Sequence, residues 1–568
     1  MSLIQSISDS QEHYDRGTSC AWYSYHFPNL FEAGLLSRQV TIESFPDEVL
    51  LCIFRHFLDN SPQSWPELVH VCHKWRQIVF ASPQGLRLRV YCTHGTPVLK
   101  SLDCWPPLPI VVQCGGSLML DPPAPEDEDN IIAALKQSDR VISISLTVTS
   151  SLLEKMGTIA EPFSKLEDLV LLSQNTSGVA LPIAFKWSSR LRHLHLTGIS
   201  FPALPEHLSF SKDLVYLHIH EIPSVGYFSP EAFANTLSGM TQLRSISLHF
   251  LSLPSRRNHV CIPLPSWKRV VLPALEYFKY RGTNKYLDSL VARIDAPCLE
   301  DIDITYFNQP TFNVSQLGQF IDRIETQKLH GRADILASND AISISFTRLG
   351  APTRLALQIS CKELDWQLSS MAQILDHFPT FLSCVGDLVI NATPPPRRQD
   401  DANNEQWLHL IRSFRGTERF YVAGKHVTAI MRTLSPADGD LATVLPLLRN
   451  LYVEEPGPLH APLRAAVVSF ITSRRLSGCP VAVEVMQPMV SPTNLTAEEE
   501  TPWELPRQLE VTPPGFISNY AGESHDNRAL KGLTDDDDQP SSESFGPFAF
   551  LSEHTSLLND LWSCDPFN

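Results

Sequence analysis

The chain has 568 residues, 43% of them apolar and 19% charged, which suits several globular domains or one elongated array and excludes global disorder. Its formal net charge of −17 is unevenly placed: residues 487–568 hold 15 acids against 3 bases, a net of −12. The remaining 486 residues carry only −5, so no electrostatic footprint for nucleic acid is expected.

The first residues, MSLIQSISDSQEHYDRG, lack a basic start and an unbroken apolar stretch, so no signal peptide is expected. No run approaches the ~18 apolar residues of a membrane span. The 12 cysteines are scattered without a CxxC pair and are expected to be reduced and mostly buried. Residues 1–39 form a polar arm with interspersed aromatics (Trp22, Tyr23, Tyr25, Phe27, Phe31), either loose or packed on the unit that follows.

That unit runs from Ser44 to Pro83. Val49, Leu50, Ile53, Phe54 and Phe57 recur at steps of three and four, as on an amphipathic helix. Pro46 and the acids Asp47 and Glu48 suit its first turn. Asn60-Ser61-Pro62 breaks the period, a second one runs through Leu68, Val71, Cys72, Trp75, Ile78 and Val79, and Ser82-Pro83 closes it. Two or three short helices result, too few to bury a core alone. The segment 40–84 resembles an F-box, on Phe45-Pro46, Glu48, Leu50, Ile53, Phe57, Leu68, Val71-Cys72, Trp75-Arg76 and Ser82-Pro83. It departs from that family after Ser82-Pro83, where an aromatic often follows and Gln84-Gly85-Leu86 stands here. The resemblance implies docking on the small Skp-type adaptor of a cullin–RING ubiquitin ligase, through Pro46, Leu50, Ile53, Phe54, Leu68, Val71 and Trp75.

From 85 to 486 the sequence predicts a repeat array. Leu86, Leu88 and Val90, then Ile110-Val111-Val112, suggest two short strands around a proline-rich loop, and the acidic, breaker-rich DPPAPEDEDN (121–130) is expected to be a linker. A grammar of apolar residues at positions one, four and six follows: Val141-Ile144-Leu146, Leu166-Leu169-Leu171, Leu191-Leu194-Leu196, Leu214-Leu217-Ile219, Leu243-Ile246-Leu248, Leu275-Phe278-Tyr280 and Leu299-Ile302-Ile304. The copies sit 23 to 32 residues apart, within and just above the leucine-rich-repeat range. Looser copies are Val385-Leu388-Ile390 and Leu448-Leu451-Val453, with weaker strand-like runs at AISISF and RFYVAG. Each unit should give one strand and return through stretches such as SPEAFANTL or LDSLVARI. The expected fold is therefore α/β: a small N-terminal helical unit followed by an irregular leucine-rich-repeat solenoid, a curved horseshoe. NATPPPRRQDD (391–401) is expected to interrupt it as an exposed loop. The tail 487–568 is expected to be disordered, apart from the apolar FGPFAFLSEHTSLLNDLWSC near its end, a candidate partner-binding or back-docking helix.

The sequence holds no phosphate loop, GxSxG, HExxH or dinucleotide fingerprint, so no enzyme and no cofactor are expected. His193/His195 and His218/His220 form HxH pairs on neighbouring strands, read as polar outward positions and not as a metal site. The same positions define an expected concave, target-binding face: His193, His195, Tyr216, His218, Tyr277, Lys279, Asp301 and Asp303, accompanied by Ser143, Ser145, Asp168, Ser245 and Ser247. Lys279 stands nearly alone as a cation among them, which favours unmodified over phosphorylated targets.

Beyond the F-box, residues 86–486 are similar to fungal F-box proteins with degenerate leucine-rich repeats, notably at LPALEYFKYRG, YLDSLVARIDAPCLEDIDITYFNQ and QLGQFI. The resemblance implies a substrate-recognition subunit of a Skp–cullin–F-box ligase in cytoplasm or nucleus, without nucleic-acid or membrane partners. The alternative is an F-box and repeat scaffold acting outside a ligase.

Overall fold

The computed structural model describes residues between 45 and 486, apart from 94–97, 114–124, 174–178, 183–184, 252–268, 349–353, 361–363, 393–403, 425–426, 435–443, 455–460 and a few single positions. The expectations for the arm 1–39, for the tail 487–568 and for most of the loop 391–401 fall outside the described residues. The chain divides into two compact units. The first takes in the described residues up to Glu276 together with Arg293–Ala296; the second takes in Tyr277–Ala292 and those from Pro297 onward.

The first unit opens with helices α1 (Asp47–Asn60), α2 (Trp65–Val71) and α3 (His73–Ala81). Asp47 and Glu48 occupy the first turn of α1, and Pro46 precedes it in extended conformation (φ −58°, ψ 151°). The helix period expected across 68–79 is broken at Cys72, whose backbone is extended and whose sulfur accepts the N–H of Trp75, starting α3. These helices do not stand alone. Trp65 is buried, packs edge-on against Trp105 at 4.8 Å and donates its indole N–H to the Arg89 carbonyl at 2.6 Å. Strand-bearing chain thus supplies part of the core that so short a helical unit lacks.

Strands β1 (Val90–Cys92) and β2 (Ile110–Gln113) follow, with α4 (Val98–Cys104) between them where a proline-rich loop was expected. The acidic stretch expected as a linker begins α5 (Pro125–Leu135). A proline at the start of a helix loses no intrahelical bond, and acids in the first turn face the positive end of the dipole, so residues that break a helix interior here begin one. Glu128 is buried, accepts from the Thr149 and Ser151 hydroxyls at 2.8 and 2.9 Å, and pairs with Lys155 at 3.1 Å. Burial alone would raise its carboxyl; those partners outweigh it and hold it below the usual range.

The repeats then run β3 (Val141–Thr147), α6 (Ser150–Gly157), β4 (Asp168–Leu172), β5 (Val179–Ala180), β6 (His193–Thr197), β7 (Ile199–Ser200), α7 (Leu204–Leu208), β8 (Tyr216–Ile222), α8 (Pro230–Leu237), β9 (Ser245–Phe250) and β10 (Val270–Val271). The order β1-β2-β3-β4-β6-β8-β9 is parallel throughout, while β5 pairs with β7 and β10 with β12 (Ile294–Asp295) in two small ladders. Every apolar residue of the one-four-six grammar in these repeats is buried, and each contributes about 1.5–3 kcal/mol of burial free energy. Between β6 and β7, Gly198 takes φ +68°, and a Cβ there would stand 2.5 Å from the Ser173 carbonyl oxygen. Only glycine fits so tight a return.

The second unit contains β11 (Tyr277–Gly282), α9 (Asn284–Val291), β13 (Asp301–Phe307), α10 (Ser315–Asp322), β14 (Arg332–Ala337), β15 (Ala341–Thr347), β16 (Arg354–Ser360), α11 (Leu364–Leu375), α12 (Pro379–Leu382), β17 (Asp387–Ala392), α13 (Asn404–Arg412), β18 (Arg419–Gly424), α14 (Val427–Thr433), β19 (Asn450–Glu454), α15 (Ala461–Leu476) and β20 (Ala482–Met486). Its sheet order is β11-β13-β16-β15-β14-β17-β18-β19-β20. Strand β15 runs antiparallel to both β14 and β16, so a three-stranded meander interrupts the parallel array. The return SPEAFANTL contains α8, and LDSLVARI begins inside α9; the two helices are capped by Ser229 and Thr283, whose hydroxyls accept the N–H groups of Ala232 and Tyr286.

The described cysteines are free, as expected, but mostly not buried: Cys52, Cys104, Cys298 and Cys384 are exposed, and Cys92 alone among the described ones is buried.

Candidate protein-binding surfaces

Helix α1 is apolar on two sides. Leu50, Phe54 and Leu58 point inward and are buried, while Val49, Ile53 and Phe57 are 41%, 45% and 38% exposed. Val71 at the end of α2 is 56% exposed, and Pro46 is exposed beside α1. Of the expected docking set, Pro46, Ile53 and Val71 therefore offer free surface. Leu50, Phe54 and Leu68 do not: helical spacing places them on the stripe that packs inside the unit, so they hold it together. Trp75 lies between the two groups, half-buried against the Phe54 ring at 4.7 Å, with an indole N–H that is buried without a hydrogen-bond partner. Val49 and Phe57 belong to the outward ridge but not to the expected docking set; the same period that marked α1 carries them.

The outward strand positions of the first unit differ from expectation. His195 and His218 are only 3% and 8% exposed, and Ser143, Ser145, Ser245 and Ser247 are buried as well. In-register neighbours explain part of this. His195 stands beside His218, and His218 beside Ser247, so tall rings lie over short hydroxyl side chains. His218 and Ser245 are 2.9 Å apart, His220 and Ser247 2.8 Å, and the His220 and His249 rings stack at 4.1 Å. His193 and Tyr216 remain half-exposed at one end of these rows, with His193 joined through Nδ1 to the Asp168 carboxylate. Among the described residues no group of three or more His, Cys, Asp or Glu could hold a metal ion. No helix among them is long and apolar enough to cross a membrane.

In the second unit the alternation is open. Tyr277, Lys279, Asp301 and Asp303 are half-buried, in rows Tyr277–Asp301–Arg354 and Lys279–Asp303–Ala356. Lys279 is neither isolated nor available, since it pairs with Asp303 at 3.3 Å, and Arg281 and Arg354 share its face. Burial pushes the Asp301 carboxyl up to about 6 against the pull of Arg354, and its Oδ1 is buried without a hydrogen-bond partner.

Strands β14, β17, β18 and β19 carry a further surface. Tyr421 and Tyr452 stand side by side with rings stacked at 4.3 Å and 7°. Burial first, then the Tyr452 phenol and Asp387, push the Tyr421 hydroxyl above its usual value. Beside the stack, Arg332 grips Asp334 with three hydrogen bonds of 2.7–3.0 Å, and Arg419 grips Asp387 through both Nε and Nη2. A hollow of about 140 Å³ opens there. Sequence reasoning missed it because RFYVAG and LRNLYV match the repeat grammar loosely. Applying the same outward-position rule to those two runs would have singled out Tyr421 and Tyr452. RADILA, which bears Arg332 and Asp334, gives no repeat signal.

No family model matches this chain, and no curated protein matches it. Among solved structures it is similar to the leucine-rich repeat-containing protein LegL7 from Legionella pneumophila, at 11% identity and a TM-score of 0.25, over 67% of this chain and 97% of that one. The repeat architecture rests on the strand pairing above, not on that overlap.

Proposed function

We propose that this chain is the substrate-recruiting subunit of a Skp–cullin–F-box ubiquitin ligase. Its N-terminal helices dock on the Skp-type adaptor, and through it on a cullin, while outward strand faces hold a target protein. The observation that carries this reading is the second apolar side of α1. Val49, Ile53 and Phe57 repeat every four residues on the solvent side of a helix whose other side already fills the core. A solvated helix has no use for such a ridge, and contiguous exposed apolar surface is a mark of protein contact. The F-box-like order of residues around it supports the assignment of the partner. The chain itself does no chemistry in this reading; it raises the effective concentration of target at the ubiquitin donor. Its place of action is the cytoplasm or the nucleus.

Co-purification of the full chain with the adaptor, comparing wild type with Ile53→Ser/Val71→Ser, tests this. The wild type is expected to form a stoichiometric complex. The variant, with both changes on exposed positions, is expected to keep its circular dichroism and lose at least ~10-fold in affinity. A wild type that ignores the adaptor would leave α1–α3 as a cap on the strands. Adaptor binding without cullin in the complex would favour the scaffold alternative.

A further inference from the structure

We infer that the outward face of β14, β17, β18 and β19 is a binding site for a segment of a partner protein that presents a lysine or arginine side chain. The inference rests on the recruiting reading in one respect, that the partner is the target; the site itself is argued from its own chemistry.

The hollow is lined by Arg332, Val389, Tyr421, Ala423, Glu454 and Met486. At about 140 Å³ it has room on the order of five waters, the size of one long side chain. Register explains its shape. The row Leu336–Asn391–Ala423 and the pair Glu454–Met486 place a short alanine next to the row Asp334–Val389–Tyr421–Tyr452–Glu484, where the tyrosine stack rises. One wall is thus aromatic, the floor is small and apolar, and the rim is charged.

Charge decides the occupant. Both arginines of the face already hold a carboxylate, Arg332 that of Asp334 and Arg419 that of Asp387, so neither is free to receive an anion. Glu454 and Glu484 have no ion pair or hydrogen bond among the described residues, so the described side chains of the face carry more negative than positive charge. A lysine or arginine fits both features: its methylene stem lies along Tyr421, Val389 and Met486, while its charge reaches Glu454. The chain's own tail, which follows Met486 directly, is a poor occupant, since it holds 15 acids against 3 bases. The inferred occupant is accordingly a segment of another protein.

The test is binding of the full chain to degenerate nine-residue peptide pools with the central residue fixed as Lys, Arg, Gln or Glu, read by fluorescence anisotropy at ~0.15 M salt. The Lys and Arg pools are expected to bind at least ~10-fold tighter than the Gln pool, with the Glu pool weakest. Tyr421→Ala and Glu454→Gln are each expected to cut that preference ~5-fold or more, whereas Glu154→Gln, an exposed acid on α6, leaves it unchanged. Glu454→Gln alters only the half-exposed rim and keeps the test valid if Tyr421→Ala fails to fold. Equal binding of all pools, or a preference that survives both variants, overturns the inference. So does displacement of the Lys pool by a peptide of this chain's residues 545–564, which would make the tail the occupant. Failure here is distinguishable from failure of the ligase reading: these variants retain adaptor binding, and Ile53→Ser/Val71→Ser retains the peptide preference.

Discussion

The strands of the two units obey one rule toward the core and different rules away from it. In β3, β6, β8 and β9 the outward positions are serine, threonine and histidine apart from Tyr216, and most are buried; in β11, β13, β14, β18 and β19 most are tyrosine, arginine, lysine or acids, and most are half-exposed or exposed. Buried hydroxyls and imidazoles that bond one another make a surface whose polar groups are largely paired. Half-exposed tyrosines beside acids without counter-ions make one whose groups are not. The capacity to bind therefore does not follow from the repeat itself but from what each copy places on the side the repeat leaves free.

Core truncation should show the shared rule and gives the largest effect. Leu217→Ala in β8 and Leu451→Ala in β19 are both fully buried and should each cost about 2–5 kcal/mol in denaturant unfolding. A cost confined to one unit would break the idea of a common core rule. Next comes Arg419→Ala, which leaves Asp387, 8% exposed, without its partner. The expected loss is about 1–2 kcal/mol, below that of a deeply buried pair because the arginine itself is largely exposed.

Asp301 separates the units by pH. Its folded value near 6 lies above the ordinary 3.8, so the fold prefers the protonated acid; the associated stability is full below about pH 4 and is lost as pH rises through 6. Asp301→Asn should therefore gain about 1–2 kcal/mol on wild type between pH 4 and 7, a figure kept below the full shift because the group retains some solvent contact. Equal pH slopes for variant and wild type would show that Asp301 is well solvated. The smallest effect is expected for Ile53→Ser, within about 0.5 kcal/mol in stability, because its side chain faces outward. A larger loss would place Ile53 in the core with Leu50 and Phe54.

The core side of the strands was legible in the sequence because it is periodic. Leu166, Leu191, Leu214, Leu243, Leu275 and Leu299 are buried at the first position of each copy, as spacing alone implies. Other features depend on neighbours that spacing does not reveal. Pro125 and the acids behind it read as a linker until the helix they open is seen. His195 and His218 looked exposed because alternation gives only the direction of a side chain, not the height of those beside it. Ile53 and Phe54 are adjacent on one apolar stripe, yet one faces solvent and the other the core, a division set by where α3 packs. Tyr421 and Tyr452 lie 31 residues apart in the loosest copies, and only strand pairing stacks them.

The meander of β14, β15 and β16 bears on the order in which the second unit assembles. In the first unit a strand meets its neighbour after one short return, as Asp168 does His193, 25 residues on; β13 instead pairs with β16, where Thr305 and Gln358 are 53 residues apart, and β14 likewise pairs with the distant β17. Doubling a loop adds only about 0.6 kcal/mol of closure entropy, so the native sheet is hardly weakened. The kinetic effect is larger, because growth strand by strand cannot cross from β13 to β17 until the intervening hairpins have closed on themselves. The meander is thus a checkpoint in folding: β11 and β13 on one side and β17–β20 on the other can each form early, but they become one sheet only through it.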